Sequence, residues 1–291
     1  LGAGKVNPSA QDPTVSVVRV STTKETKEVI AAGGRETLNP VEESIAGVLK
    51  ESDGDGPEAR GEILGVLERH RIPSAIDDIH VVSRDVYGLV KSVSDKFEMK
   101  VPKMVIMNTP MQNAAATGVS SSRSTITITA GALEELNDDE LRSVVGHELG
   151  HVEGHDPLFL FGVTMVMYFG GLFIWLPILL DLGIFYFLVA FVVIYSIGKV
   201  LETRADTQSA SRLGNPEVLA EALSEIGYVE IFREKYSRAA RVLDWLRLDS
   251  HPPTYFRVDR LSKLASNGRT VKHALAVSAR DCVLGFLRAL A

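Results

Sequence analysis

The strongest chemical signal in this 291-residue chain is the run His147-Glu148-Leu149-Gly150-His151. In an α-helix, residues four apart lie one turn above each other on the same face. Two imidazoles so placed can share one tetrahedral zinc ion. Glu148, beside the first histidine, reaches a water held at that ion. Zinc lowers the pKa of such a water from about 15.7 to about 7. A carboxylate there takes the proton and later hands it to a leaving amine. The pattern predicts hydrolysis of an amide-type bond, with one Zn2+ per chain as cofactor and Glu148 as the base.

A catalytic zinc needs a third protein ligand and one open position. His155 lies eight residues beyond His147, about 12 Å along a straight helix, too far to share one ion. A histidine ten residues after the first is excluded by inspection, because that position is Pro157. The expected third ligand is Glu202, in Glu202-Thr203-Arg204-Ala205-Asp206. Asp206 falls on the same helix face and is expected to orient a ligand histidine through its ring N–H. Arg204 and Arg257 are expected to pair with carboxylates near the site, Asp206 included. The alternative makes Glu202 and Asp206 part of a solvated charged face.

The elements that must position these residues follow from pattern. Short strands are expected over Val15–Val20, Lys103–Met107 and Ser124–Thr129. Helices are expected over Val41–Lys50, Glu62–Arg71 and Val86–Phe97. Asn137 with Glu140 three residues later predicts a capped start for the helix that carries the histidines. Gly154 and Pro157 mark its end. Further helices are expected over Lys199–Arg212, Pro216–Leu246, Tyr255–Ala265 and Val271–Leu290, with a break at His251-Pro252-Pro253.

Between the two halves of the expected site lies an apolar stretch. Leu158 to Gly198 contains one charge, Asp181, flanked by runs of 23 and 17 uncharged residues. About 20 residues cross a ~30 Å hydrocarbon core, so two spans joined at Asp181-Leu182-Gly183 fit, with Pro177 kinking the first. A double crossing returns the chain to the side it left, where His151 and Glu202 could meet. The other reading is a buried hairpin in a large soluble core. The hairpin accounts for the slightly positive mean hydropathy of +0.10. A net charge of −6 argues against a nucleic-acid partner, which needs a basic surface. The single cysteine, Cys282, forms no internal disulfide and reads as a small buried residue.

The chain resembles the HtpX-like membrane zinc metallopeptidases, gluzincin-type relatives of the CAAX prenyl proteases. The resemblance rests on Asn113-Ala114-Ala115-Ala116-Thr117-Gly118, on Leu136 to Leu141, on the histidine pair, on the apolar pair of segments and on Glu202-x-Arg204-Ala205-Asp206. His251-Pro252-Pro253 with Arg257 and Leu261 adds a late element, so the match covers roughly residues 70 to 265. It implies an α+β fold, a mostly helical zincin-like domain with a small β-sheet and an inserted apolar helical hairpin. It implies zinc on His147, His151 and Glu202, with Glu148 as base. It also implies an endopeptidase of protein quality control, in the cell membrane as a multi-pass protein with its site on the cytoplasmic side. The expected partners are unfolded or membrane protein substrates and the lipid bilayer.

Under this resemblance Asn113, Ala114, Ala115 and Ala116 hold an extended substrate by backbone pairing. Asn113 reads equally well as a turn-capping amide. His251 either donates a hydrogen bond to the developing oxyanion or caps a helix beside the prolines. His70, His80 and His273 read as surface or packing residues. There are departures. Ala115 stands where the family usually has Phe, and the usual apolar spans before the catalytic part are not in this chain. The expected organisation is a polar segment over 1–60 of unread role, a peptidase domain over 61–156 and 199–291, and a membrane-embedded hairpin over 157–198. The opening Leu1 leads us to expect a removed or missing preceding piece. Competing functions are a proteolytically silent, zinc-containing membrane adaptor and a specialised peptidase with one substrate.

Overall fold

The computed structural model describes residues 5–21, 27–32, 35–37, 40–51, 57–72, 74–118, 120–175, 183–267 and 273–291. The chain divides into two compact units. One comprises residues 1–117 and 121–145, the other 118–120 and 146–291. The fold is α+β and mostly helical, with two small sheets among the described residues.

The first unit holds the β-structure. Strands β1 (Lys5–Asn7), β2 (Thr14–Ser21), β3 (Lys27–Ala32) and β4 (Arg35–Thr37) come from the N-terminal residues whose role the sequence left open. β5 (Ile79–Asp85), β6 (Lys103–Met107), β7 (Ala114–Gly118) and β8 (Ser124–Thr129) follow. One sheet runs β4-β1-β6-β8-β7 and the other β3-β2-β5. β1 pairs antiparallel with both β4 and β6, while β6 and β8 run parallel. The alternating Ser-Thr-Ile pattern of β8 buries Ile126 and Ile128 completely.

β2 is the middle strand of its sheet and buries Val15, Val17, Val18 and Val20. Burial of both faces explains its valines at both parities, Val15 and Val17 on one face and Val18 and Val20 on the other. Helices α1 (Pro40–Glu51) and α2 (Pro57–Arg69) cover it, with Ile45, Ile63 and Leu67 packed in one core with Val18 and Ile79. α3 (Val86–Lys96) starts at Asp85, whose carboxylate accepts from Gly88 N at 2.6 Å. α4 (Ala130–Glu135) starts at Thr129.

Helix α5 (Asp138–Glu153) carries the two histidines. Its predicted start is present: Asn137 Oδ1 accepts from the N–H groups of Asp139 and Glu140 at 2.9 and 3.0 Å. Glu140 Oε2 accepts in return from Asn137 N at 2.8 Å. This reciprocal capping satisfies donors that the first turn leaves without partners. The division between the units falls inside this helix, after Val145.

The second unit is helical. α6 (Asp156–Gly170) continues into a π-helical turn over Gly171–Trp175. α7 (Gly183–Leu213) is a single 31-residue helix. The separate helix expected from Lys199 is therefore the continuation of the second apolar segment, since no residue between them breaks the turn. Pro177 and most of the expected Asp181-Leu182-Gly183 turn lie outside the described residues. Tyr186 Oη donates to Met167 O at 2.7 Å, tying the two apolar helices together. Both are long and apolar enough to cross a membrane, and only 11% and 28% of their apolar windows are buried by protein. Phe161, Val166, Phe173 and Phe185 lie exposed. A soluble core helix would have covered such side chains; these face outward and need an apolar surrounding.

The expected helix over Pro216–Leu246 is three: α8 (Pro216–Ile226), α9 (Tyr228–Tyr236) and α10 (Arg238–Leu246). The breaks fall at Gly227 and at Ser237, whose hydroxyl accepts from Ala240 N and so starts a new helix. α11 (Thr254–Asn267) and α12 (Ala274–Leu290) follow the proline break. Cys282 is buried on α12, with its sulfur 3.2 Å from Thr203 Oγ1 of α7.

Because the N-terminal strands are built into the sheets, Val18→Asp is expected to place an unpaired carboxylate in the core of the first unit. The cost is on the order of 3 kcal/mol or more. Limited proteolysis should then cut residues 1–145 readily while leaving 146–291 comparatively resistant.

Candidate metal centre

The site grows from the way α5 lies against α7. Gly146, Gly150 and Gly154 recur every four residues, the first two on one stripe of α5 and the third just past its end. A Cβ added at Gly150 would sit 3.2 Å from the Cα and carbonyl oxygen of Ala205, and one at Gly146 would sit 2.7 Å from Ser209 Oγ and Leu213 Cδ1. A Cβ at Gly154 would overlap the Arg204 guanidinium. The backbones therefore approach as closely as side-chain-free contact allows. Gln208 Nε2 donates to Glu153 Oε2 at 3.0 Å and supports the same pairing. The sequence reading passed over this stripe. Its four-residue spacing was visible, but its partner helix was not.

That approach brings the ligand set together. His147 Nε2 and His151 Nε2 are 3.2 Å apart. Glu202 Oε1 lies 3.2 Å from His151 Nε2, and Glu202 Oε2 lies 3.3 Å from His147 Nε2. A zinc tetrahedron with bonds of about 2.0–2.1 Å has an edge of about 3.3–3.4 Å. The three residues meet this measure, and they are the one such group among the described residues. Glu202 Oε2 is buried with no hydrogen-bond partner. An orphaned buried carboxylate oxygen beside an imidazole nitrogen fits a cation ligand. Glu202 and Asp206 are both buried, so the alternative of a solvated charged face does not describe them.

Each histidine is held from behind by a carboxylate and a guanidinium. His147 Nδ1 donates to Asp206 Oδ1 at 2.9 Å. Arg257 in turn grips Asp206 with two bonds, Nε to Oδ2 at 2.9 Å and Nη2 to Oδ1 at 2.7 Å. His151 Nδ1 donates to Asp156 Oδ2 at 2.8 Å. Arg204 Nη2 donates to Asp156 Oδ2 at 2.6 Å and to Gly150 O at 3.0 Å. A donating Nδ1 leaves each Nε2 lone pair directed at the centre. Asp206 thus lies against the Nδ1 side of the His147 ring. Of the two arginines, Arg257 takes Asp206 and Arg204 takes Asp156. Asp156 was missed. Its partnership depends on the chain reversing at His155, which has φ 55°, and not on helical spacing.

The other predicted residues are placed as follows. Glu148 is half-buried beside His147 on α5. His251 is exposed, with Nε2 3.7 Å from Glu202 Oε1 and Nδ1 2.9 Å from Asp249 Oδ1. Its partner is thus Asp249 rather than a helix end. His155 precedes α6, is exposed, and has its Nδ1 on Glu153 O. In the first unit, Asn113 N donates to Thr129 Oγ1 and Asn113 O accepts from Thr129 N, at 2.9 and 3.0 Å. Ala114, Ala115 and Ala116 follow in β7, the outermost strand of its sheet among the described residues.

The charges suit a cation: three buried carboxylates, Asp156, Glu202 and Asp206, meet two guanidiniums, Arg204 and Arg257. Burial opposes ionisation of Glu202, but the two imidazoles at its oxygens hold its carboxyl well below the usual carboxylate range. Burial likewise opposes the proton on His151. The Asp156 and Glu202 carboxylates outweigh it and raise this group from 6.5 to about 10.

With this geometry in hand, the comparisons with known proteins are specific. The model of peptidase family M48 matches residues 82–265. The protease HtpX homolog of Thermococcus sibiricus is 29% identical over 217 residues, covering 63% of this chain and 74% of that protein. The protease HtpX homolog of Polynucleobacter necessarius is 32% identical over 218 residues, covering 62% and 74%. That of Moorella thermoacetica is 32% identical over 164 residues, covering 49% and 54%. The chain thus spans about half the length of the Moorella relative.

Three outcomes are expected. Gly150→Val should force α5 from α7 at a cost of about 1–3 kcal/mol, and zinc retention after dialysis should fall with it. Asp156→Asn and Asp206→Asn should each weaken zinc binding by about 10–100-fold in a chelator competition. In protein stripped by chelator, the raised His151 pKa contributes stability in full below pH 6.5 and loses it as pH rises through about 10. Thermal midpoints of the stripped form should therefore fall from pH 7 to pH 10. Zinc needs the neutral ring, so zinc affinity should rise over the same range.

Proposed function

This chain belongs to peptidase family M48, and on that premise we propose that it is a membrane-anchored zinc endopeptidase that cuts misfolded or damaged proteins. That it is a metallopeptidase follows from the family. The zinc, the substrates and the residue roles are our reading. The observation that supports it most is the pair of imidazole Nε2 atoms 3.2 Å apart, each facing an oxygen of Glu202 and each imidazole backed by its own carboxylate. In this reading His147, His151 and Glu202 hold the ion, and Asp206, Asp156, Arg257 and Arg204 hold the ligands.

Bound there, zinc would act as a Lewis acid on a peptide carbonyl and acidify water to a pKa of about 7. Glu148 accepts a proton at its carboxylate and returns it to the departing amine nitrogen. His251 donates from its ring to the carbonyl oxygen as negative charge develops. Its exposure and its 3.7 Å approach to Glu202 favour that role. A substrate strand adds to β7 at Asn113 to Ala116, where an edge strand offers backbone groups whatever the substrate sequence. Such pairing suits unfolded chains, because it demands extended backbone rather than particular side chains. The outward-facing aromatic residues of α6 and α7 support insertion in the cell membrane as a hairpin. The resemblance to HtpX-like enzymes favours a site on the cytoplasmic side.

Glu148→Gln is expected to retain one zinc per chain by metal analysis and to lose casein cleavage by about 10²–10⁴-fold. Cleavage at the original rate would remove Glu148 from its role. If neither form cleaves casein or any unfolded protein while both hold zinc, a zinc-containing adaptor becomes the better reading. Cleavage confined to one lipidated or signal-like peptide would favour a specialised enzyme. Glu202→Ala should lose the zinc; full retention would move the third ligand elsewhere.

A further inference from the structure

A cavity of about 310 Å³ lies in the second unit, outside the metal centre. Val192, Tyr195 and Lys199 of α7 form one wall, spaced three and four residues apart and so on one helix face. Trp245 of α10 and Cys282 and Phe286 of α12 close it from the other side. Val192 precedes Lys199 by seven residues. The slot therefore runs about 10 Å along α7, from its first charged residue down into the apolar segment.

The mouth is fixed by Lys199, whose Nζ donates to the carbonyl oxygens of Arg247 and Asp249 at 3.0 and 2.5 Å. Arg247 stands at that level with its side chain 56% exposed. Its contact with Asp244 is long, 3.8 Å, and Asp244 already receives two bonds from Arg233. Leu246, Leu248 and Val283 are each more than half exposed around the opening. An apolar slot continuous with a membrane helix, with a guanidinium at its mouth, has the layout of a phospholipid: chain below, phosphate above. Its size lies at the lower end of small-molecule sites.

We propose that this slot holds one acyl chain of a bilayer phospholipid, with the lipid phosphate on Arg247. The assignment rests on the reading of the hairpin as membrane-embedded and is independent of the peptidase chemistry.

The chain has two tryptophans, so Trp175→Phe leaves Trp245 as the sole emitter. The full chain with this change is reconstituted in phosphatidylcholine vesicles containing a minority of phosphatidylglycerol, with or without bromine on the acyl chains. Brominated chains should quench Trp245 to roughly half. Adding Ala279→Phe, which fills the slot, should restore emission with an unchanged circular dichroism spectrum. A second measurement covers a failure of that variant to fold. Native mass spectrometry of detergent-extracted protein should show one retained phospholipid, lost several-fold in the exposed-residue variant Arg247→Glu. The proposal is overturned by an inserted chain whose Trp245 is unquenched, by quenching that a folded Ala279→Phe leaves untouched, or by equal lipid retention in Arg247→Glu. A chain that does not associate with the vesicles at all overturns the membrane reading and this one with it, and leaves the metal site standing.

Discussion

The metal centre depends on two helix backbones coming close enough to touch. Two imidazole nitrogens 3.2 Å apart, each with a Glu202 oxygen 3.2 to 3.3 Å away, require α5 and α7 to pack closely. The glycines at 146, 150 and 154 provide this, and Ala205 and Ser209 answer them with small side chains. Any bulk on that stripe must move Glu202 relative to the histidines. Glycine inside a helix costs up to about 1 kcal/mol each in helix stability. Gly146 and Gly150 inside the 16-residue α5, and Gly154 just past its end, are explained by what they let approach.

Packing so tight buries charge, and the second constraint is how that charge is balanced. A buried carboxylate without a partner is strongly disfavoured. Asp206 and Asp156 are each satisfied by an arginine and by an imidazole N–H at once. Arg257 comes from α11 and Arg204 from α7, so the electrostatics bind the late helices to the site. The same bonds fix which nitrogen each imidazole presents. Structure and chemistry are here one network, because the groups that neutralise the interior are those that aim the ligands.

Much of this was legible along the chain wherever the relevant geometry is helical. Residues four apart share a face, so His147 with His151 and Glu202 with Asp206 are pairs that spacing alone defines. Asn137 and Glu140 announce the start of α5 in the same local way. What could not be read required partners set by tertiary contact. Asp156 meets His151 only because the backbone turns at His155. β1 and β4 are only three residues long, and β5 pairs with β2, a neighbour distant in sequence. The valine run of β2 was recognised, but nothing in it names β5 as its partner. The continuity of α7 was also hidden, because a change from apolar to charged residues suggests a boundary where the backbone has none.

That continuity sets the spacing between the apolar segment and the candidate metal centre. Glu202 lies four residues beyond Gly198, about 6 Å along the axis of an unbroken helix. A helix of this kind is a stiff post, so the distance from the end of the uncharged run to the ligand carboxylate is fixed by residue count. Any displacement or tilt of the apolar half is carried to Glu202 undamped, because no loop lies between them to absorb it.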